Sequence, residues 1–325
     1  EFRRVLFRSK RIRSRKMKGL TSIIDYSIIH ATIRASTPIL LAAFSAVITQ
    51  QANILNVGVE GIMLMSAFMA VYVSFLTGSW ILAVLAAVVV GLLVAVIIGL
   101  AHLKYKGDIF AVGMTVNLLV LALTRFLLQK LLKASGSFYS AEIAPMPKIH
   151  FAFLEKSPIL NSVFNNYSLL EVLIVPIVVL MWFVLYKTIW GLRTRSIGLN
   201  EEAAETAGIN TYKRKFQVIL LSGVIGGLAG AHLSLGYSNM FVENMTNGRG
   251  FMGVAAMFFG NANPVFTTIG CFIFGFADSI GARLQAYGFP SQFVLMIPYL
   301  STVIILAISM ISKQRKNKKM KSAVN

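Results

Sequence analysis

The polar residues set among apolar ones carry whatever chemistry this chain performs. Glu60 stands in Asn53-Ile-Leu-Asn56-Val-Gly58-Val-Glu60-Gly61, with Asn53 and Asn56 beside it. Thr115 and Asn117 form a second group in Val112-Gly-Met-Thr-Val-Asn-Leu-Leu119, and Asn239, Glu243, Asn244 and Asn247 form a third. Asn261 and Asn263 precede Pro264, and Asp278 stands alone in the run Cys271 to Ile280. Most of these groups are uncharged amides and hydroxyls. They suit weak, reversible contact with an uncharged polar solute. A path for an anion would want arginines, and besides Arg34 the embedded one to consider is Arg125. An ionisable group at membrane depth costs a few kcal/mol unless paired or hydrated, so Glu60 and Asp278 should face protein or a pathway. For any single asparagine, hydrogen bonding between helices is the plainer role. Glu60 differs because it lies in a glycine-flanked break, and broken helices expose backbone groups that can meet a polar solute. Asn53, Asn56, Glu60, Thr115, Asn117 and Asp278 are the translocation-path candidates.

Enzymatic chemistry finds no footing. There is no Gly-x-x-x-x-Gly-Lys-Ser/Thr run to cradle ATP phosphates. His30, His102, His150 and His232 are scattered without a metal-spaced pair, and no Ser/His/Asp set can be argued. The expectation is a chain that is not an enzyme and carries neither cofactor nor metal. Phe258, Phe259, Phe272 and Phe276 could stack on a base, although aromatic side chains in apolar helices are core or lipid-facing by default.

A charged, helix-capable island interrupts the apolar chain between Lys187 and Lys215. Asn200 is a good N-cap, because its side-chain oxygen can accept from a free amide of the first turn. Glu201 and Glu202 follow where the helix dipole favours negative charge, and Gly208 supplies a left-handed stop. The helix so delimited, about 201–207, has too few turns to persist alone in water. Ala203 and Ala207 form a small-residue face at i, i+4 that lets another surface approach closely. Such a helix is suited to being gripped by a partner.

These residues carry a resemblance. Glu202-Ala203-Ala204, three residues, then Gly208 resembles the EAA loop of ABC-importer permeases, whose coupling helix docks on the ATP-binding subunit. The longer pattern Gly198-x-Asn200-x-x-Ala203-Ala204-x-x-Ala207-Gly208-Ile209 resembles the version in permeases for simple sugars, nucleosides and branched-chain amino acids. Asn53 to Ala67 is similar to the N-terminal signature of the same family, closest to its nucleoside and simple-sugar branch. The likeness runs from about Ala35 to Ala307. It implies that Gly198, Asn200, Glu202, Ala203, Ala204, Ala207 and Gly208 couple to an ATPase. It also implies a second permease subunit (a paralogue), a cytoplasmic ATP-binding cassette ATPase and an extracellular substrate-binding lipoprotein. The function implied is ATP-driven import of nucleosides or simple sugars across the bacterial plasma membrane. The alternatives are a branched-chain amino-acid permease of the same class, or an ion-coupled secondary transporter with Glu60 and Asp278 as carriers.

The elements that must position these residues are membrane-spanning. The chain is 56% hydrophobic and 13% charged, with a mean hydropathy of +0.72, which excludes an ordinary soluble domain. Residues 1–18 carry a net +8 and residues 313–321 a net +6, so two tails hold 14 of the net +19 charges. Basic runs flanking apolar spans read as cytoplasmic contacts with anionic membrane lipids rather than nucleic-acid binding. Residues 1–16 are expected to be a foreign basic remnant ahead of Met17, residues 17–312 one permease domain, and 313–325 a cytoplasmic tail. The lone Cys271 lies in an apolar run and permits no intrachain disulfide.

The fold expected is an all-α transmembrane bundle of eight to ten apolar segments, at least one broken or re-entrant, with a cytoplasmic coupling helix. Segments fall at about 23–49, 61–77, 79–101, 108–133, 168–188, 216–237, 249–262, 264–283 and 292–312. Lys104, Lys106, the island and the tail mark the cytoplasmic side, and 134–167 is the long extracytoplasmic connection. Crossings then count correctly after Lys106 but not before it. Either one segment enters and leaves on the same side, or the N-terminus is outside. The polar stretch 50–61 is the expected break, since it cannot lie against lipid. Gly58–Ala67 and Gly248–Ala256 both read as Gly-rich openings of Met/Ala-rich helices, a hint of internal repetition.

Overall fold

A computed structural model describes residues 27–151, 161–163, 165–286 and 296. Residues 1–16, expected to be a remnant, and the basic tail lie outside the described residues, as does the last apolar run apart from Met296.

The long apolar stretches satisfy their backbone polar groups within themselves, as helices. The helices are α1 (Ser27–Gln50), α2 (Val59–Thr77), α3 (Trp80–Gly99), α4 (Ile109–Leu132), α5 (Leu169–Val172) and α6 (Ile174–Lys187). They continue with α7 (Ile189–Leu199), α8 (Glu201–Thr206), α9 (Thr211–Ala231), α10 (Arg249–Phe259) and α11 (Pro264–Ala286). α3 and α9 each run on into a wider π turn, Leu100–Lys104 and His232–Ser238. Two small antiparallel pairs clip the outer loops: β1 (Ser137–Phe138) with β4 (Phe241–Val242), and β2 (Lys148–Ile149) with β3 (Tyr167–Ser168). Among the described residues six helices are long and apolar enough to cross a membrane, and α6 with α7 adds a pair bent by 69°. With the short apolar α10, the eight described segments match those expected.

α1, α2 and α9 make the interior. Their most apolar windows are 67–78% buried, against 28–39% for α3, α4 and α11. α3 is apolar all round and leaves Ile81, Leu85, Val89, Leu93 and Ile97 exposed at i, i+4 spacing, a stripe that suits lipid. Its other side meets α9 backbone to backbone. A Cβ on Gly91 would lie 2.5 Å from the Gly223 carbonyl oxygen, and one on Gly227 would lie 2.9 Å from that of Ala87. Association of helices in lipid relies on such close packing.

The position of the first turn of α1 bears on the count of crossings. Its first turns lie beside the outer loops and the end of α11: His30 stacks on Tyr167, and Arg283 donates to Ser27. Its last residues meet the coupling-loop side, where Gly198 abuts Gln51. With the island on the cytoplasmic side, α1 runs from the outer to the cytoplasmic end of the bundle, so α1, α2 and α3 count as three crossings before Lys104. The break at 51–58 is present, but it is the outer start of α1 that restores the parity. α2 continues to the outer face, where the Ser74 hydroxyl donates to the Ala144 carbonyl.

Candidate translocation and coupling sites

After Gln50 the chain leaves the helix through Asn53, whose φ of 58° is left-handed. Thr49 closes the turn, its carbonyl accepting from the amides of Ala52 and Ile54. The irregular backbone beyond is buried, so its polar groups need partners. Asn56 and Asn117 supply them. The Asn56 Oδ1 accepts from the Gly58 amide at 3.0 Å, and its Nδ2 donates to Ser222 on α9. Asn117 on α4 donates to the Val57 carbonyl at 3.0 Å and accepts from the Gly61 amide at 2.8 Å. Both asparagines thus bind the broken strand of chain to neighbouring helices.

Glu60 follows the break at the first turn of α2 and is buried. Its two carboxylate oxygens accept from the amides of Gly248 and Gly250, at 2.8 and 2.7 Å. Those amides open α10, so the anion sits on the positive end of a helix. α10 itself starts partway through the bundle. A Cβ on Gly253 would lie 2.7 Å from the Ala43 amide, and Gln51 donates to the Ala262 carbonyl at 2.7 Å. α10 hence runs alongside the second half of α1, and its N-terminus falls near the midpoint of that span. The upper half of this crossing is made by residues 239–248, with Asn239, Asn244 and Asn247 all at positive φ. The two Gly-rich openings singled out in the sequence meet face to face across Glu60.

A cavity of about 250 Å³ opens beside this joint. Glu60, Asn117, Asn244, Asn247, Met114 and Phe251 are among its lining residues. Phe251 is the aromatic ring there; Phe258, Phe259, Phe272 and Phe276 are not in the lining. The structure therefore brings Glu60 and Asn117 together, with Asn56 one step behind them. It does not bring Asn53, Thr115 or Asp278 to the same place. Asn53 is exposed at the cytoplasmic turn, and Thr115 is exposed on α4.

Asp278 does not stand alone. It pairs with Arg249 at 2.9 Å, and Arg249 also donates to the Met245 carbonyl. Arg249 and Arg34 both lie over the Tyr237 ring, at 5.7 and 5.3 Å from its centroid, and Arg34 donates to the Tyr237 carbonyl. Glu171 lies 3.7 Å from Arg34 and 3.2 Å from the His232 Nε2, and it closes a capping box with the Ser168 amide. This ionic belt ties α1, α5, α10, α11 and the π turn after α9 in the outer half of the bundle. Sequence reading found Arg34 and Asp278 but missed the belt, because its members are far apart in the chain.

On the cytoplasmic side the island folds as its residues suggest. The Asn200 side chain accepts from the Ala203 amide at 3.0 Å, α8 runs over 201–206, and Gly208 takes a φ of 79°. Lys215 reaches back to Glu201 at 2.6 Å, and Thr211 donates to Glu205. Ala203, Ala207 and Glu202 are exposed, while Ala204 is buried against the rest of the loop. The open face is thus Ala203/Ala207, and Ala204 seats the helix. Gly198 packs on the break itself, where a Cβ would lie 2.2 Å from the Gln51 carbonyl oxygen.

Comparison with known proteins decides the family. A family model described as the permease component of the branched-chain amino acid transport system matches residues 28–312. The chain belongs to this permease family. The permease is 33% identical over 285 residues to the nucleoside ABC transporter permease protein NupC of Lactococcus lactis, covering 84% of this chain and 89% of the relative. It is 31% identical over 291 residues to the guanosine ABC transporter permease protein NupQ of Bacillus subtilis, covering 86% and 90%. A glucose permease of Haloferax volcanii described as putative, TsgC13, is 27% identical over 308 residues, covering 87% of this chain and 92% of the relative. No solved structure matches the chain. The permease is accordingly a multi-pass plasma-membrane subunit of an ATP-driven importer, and permease subunits of this kind are not themselves enzymes. Its family places it in a system with an ATPase and a substrate-binding protein.

Proposed function

We propose that the permease moves nucleosides, with simple sugars as the adjoining class, through the cavity beside Glu60. One observation carries this reading. Both oxygens of the Glu60 carboxylate are already engaged by amides of α10, so the joint presents no free charge to a cargo. Asn117, Asn244 and Asn247 line the cavity wall with amides, and Phe251 with a ring face. An uncharged solute with a planar base and several hydroxyls matches that wall, and aromatic faces pack on planar rings. The names of the L. lactis and B. subtilis relatives support the same class. A carrier carboxylate for ion coupling would have to exchange partners, whereas Glu60 caps a helix.

The exposed Ala203/Ala207 face of α8 is the contact with a cytoplasmic ATP-binding cassette ATPase. A paralogous second permease subunit and an extracellular binding lipoprotein complete the importer. Asn53 belongs with the coupling side in this scheme, and Asp278 with the ionic belt. The test is uptake by the assembled importer in vesicles loaded with ATP. Labelled guanosine or uridine should accumulate and labelled leucine should not. Accumulation of leucine alone would return the permease to the amino-acid class. Accumulation of nucleoside that needs an ion gradient but no ATP would refute the coupling.

A further inference from the structure

A second, larger cavity lies at the cytoplasmic end of the bundle, beside the island and away from Glu60. Its volume is about 560 Å³, and it lies between α7, Gly208 and the first turns of α9. Arg193, Lys213 and Arg214 line it, and no carboxylate does. Among the described residues these three cations form no ion pair, unlike Lys215 next to them, which holds Glu201. Arg214 lies over the ring of Trp190, 5.4 Å from its centroid, which keeps the guanidinium turned into the cavity. α9 begins here with no acidic residue in its first turn, so its positive end adds to the same field.

Further along α9 the lining becomes apolar, with Leu220 and Leu221. The cavity is thus cationic at the level where α9 leaves the cytoplasm and apolar where α9 enters the membrane. α7 has the matching character. It is set at 69° to α6 and leaves Ile189 and Leu192 exposed, as a helix lying in the membrane interface does. A soluble anion would use the three cations but not the leucines. Only a ligand with a phosphate and a hydrocarbon chain uses both.

We propose that this cavity binds an anionic phospholipid, its phosphate held by Arg193, Lys213 and Arg214 and its chain laid along Leu220 and Leu221. Basic pockets between spanning helices on the cytoplasmic side are suited to such headgroups. The bound lipid would then abut Gly208 at the end of the coupling helix, so membrane composition would reach the element that answers to ATP.

Trp190 reports directly on the site. The assembled importer is placed in phosphatidylcholine bilayers, and brominated-chain phosphatidylglycerol or brominated-chain phosphatidylcholine is titrated in. Subtracting the signal of a Trp190→Phe variant isolates quenching of Trp190. The phosphatidylglycerol should quench at about tenfold lower mole fraction than the phosphatidylcholine. An Arg193→Gln/Arg214→Gln variant should erase that preference, and a Lys213→Gln variant, changed at an exposed side chain, should weaken it. Lys187→Gln, which removes a nearby cation outside the cavity, should leave it intact. Equal quenching by the two lipids in the unaltered importer overturns the proposal, and so does a preference that survives loss of both arginines. Loss of the preference in Lys187→Gln would reduce it to general surface charge. Abolition of the preference by millimolar inorganic phosphate would make this a free-phosphate site. A docked ATPase that filled the cavity would leave Trp190 unquenched by either lipid, and the proposal would fail.

Discussion

Glu60 is the residue on which the buried polar chemistry turns. Its carboxylate accepts from two amides at once, and each would otherwise be an unmatched donor inside the bundle. Gln has one acceptor oxygen, and its NH2 group can only donate, so one of the two amides of α10 loses its partner. Glu60→Gln should therefore cost about 1–3 kcal/mol, more than a shape-conserving change suggests, while leaving ATP-driven uptake measurable. Glu60→Leu should cost roughly twice that, since both amides lose their acceptor. Thermal unfolding of the detergent-solubilised importer reads the order unaltered > Gln > Leu. A Leu variant as stable as the unaltered protein would show that the cap contributes nothing. That a polar group had to be paired here was legible in the sequence, from Gly58, Glu60 and Gly61 in an apolar chain. Its partners were not. They are backbone amides, which carry no residue signature, and they lie 188 and 190 residues further on.

At the scale of elements, α7, which leads into the proposed coupling helix α8, meets the break through Gly198. The Gln51 carbonyl oxygen occupies the position where a side chain on Gly198 would begin. α7 carries Gly198 at one end and α8 immediately after it, and the break leads from Gln51 through Asn56 to Glu60. A displacement of α8 therefore has a short mechanical route to the middle of the membrane. Gly198→Val should block that route by forcing the break away. ATP hydrolysis should persist while nucleoside accumulation falls by at least an order of magnitude. Ala203→Arg makes the contrast, because it crowds the exposed docking face and should release the ATPase from the purified complex. Normal uptake by both variants would remove the island from the coupling mechanism. The limits of α8 could be read from Asn200 and Gly208, because capping is local chemistry. The open Ala203/Ala207 face could be read from its i, i+4 spacing, but the burial of Ala204 could not, since it depends on how the loop folds back on α9.

The whole molecule is an antiparallel sequence of crossings whose sense is set by α1. The buried Cys271 is the chain's single cysteine, so an introduced cysteine would report alone. Ser27→Cys and Glu142→Cys should both react with a membrane-impermeant maleimide applied outside cells, and Glu202→Cys should react only after permeabilisation. Labelling of Ser27→Cys solely from the cytoplasm would invert α1 and restore the uneven count. The eight described segments were legible because long apolar runs stand out in hydropathy whether they face lipid or protein. The orientation of α1 was not, because the basic residues ahead of it argue for a cytoplasmic start while its contacts with Tyr167 and Arg283 place its first described turn outside. The glycines of α9 carried another signal that patterning does not weigh. Gly223 and Gly227 mark where the α3 backbone comes closest.

The long span of chain between Glu60 and its cap has a consequence in time. The ribosome delivers Glu60 188 residues before Gly248, which at roughly 5–20 residues per second is about ten to forty seconds. Throughout that interval α2 has its carboxylate and no helix end to receive it, and release into lipid would cost a few kcal/mol. The nascent protein must therefore keep α2 sheltered, in the insertion machinery or against α4 through Asn117, until α10 emerges. A chain that terminates ahead of α10 is left with an unmatched acid in its second helix.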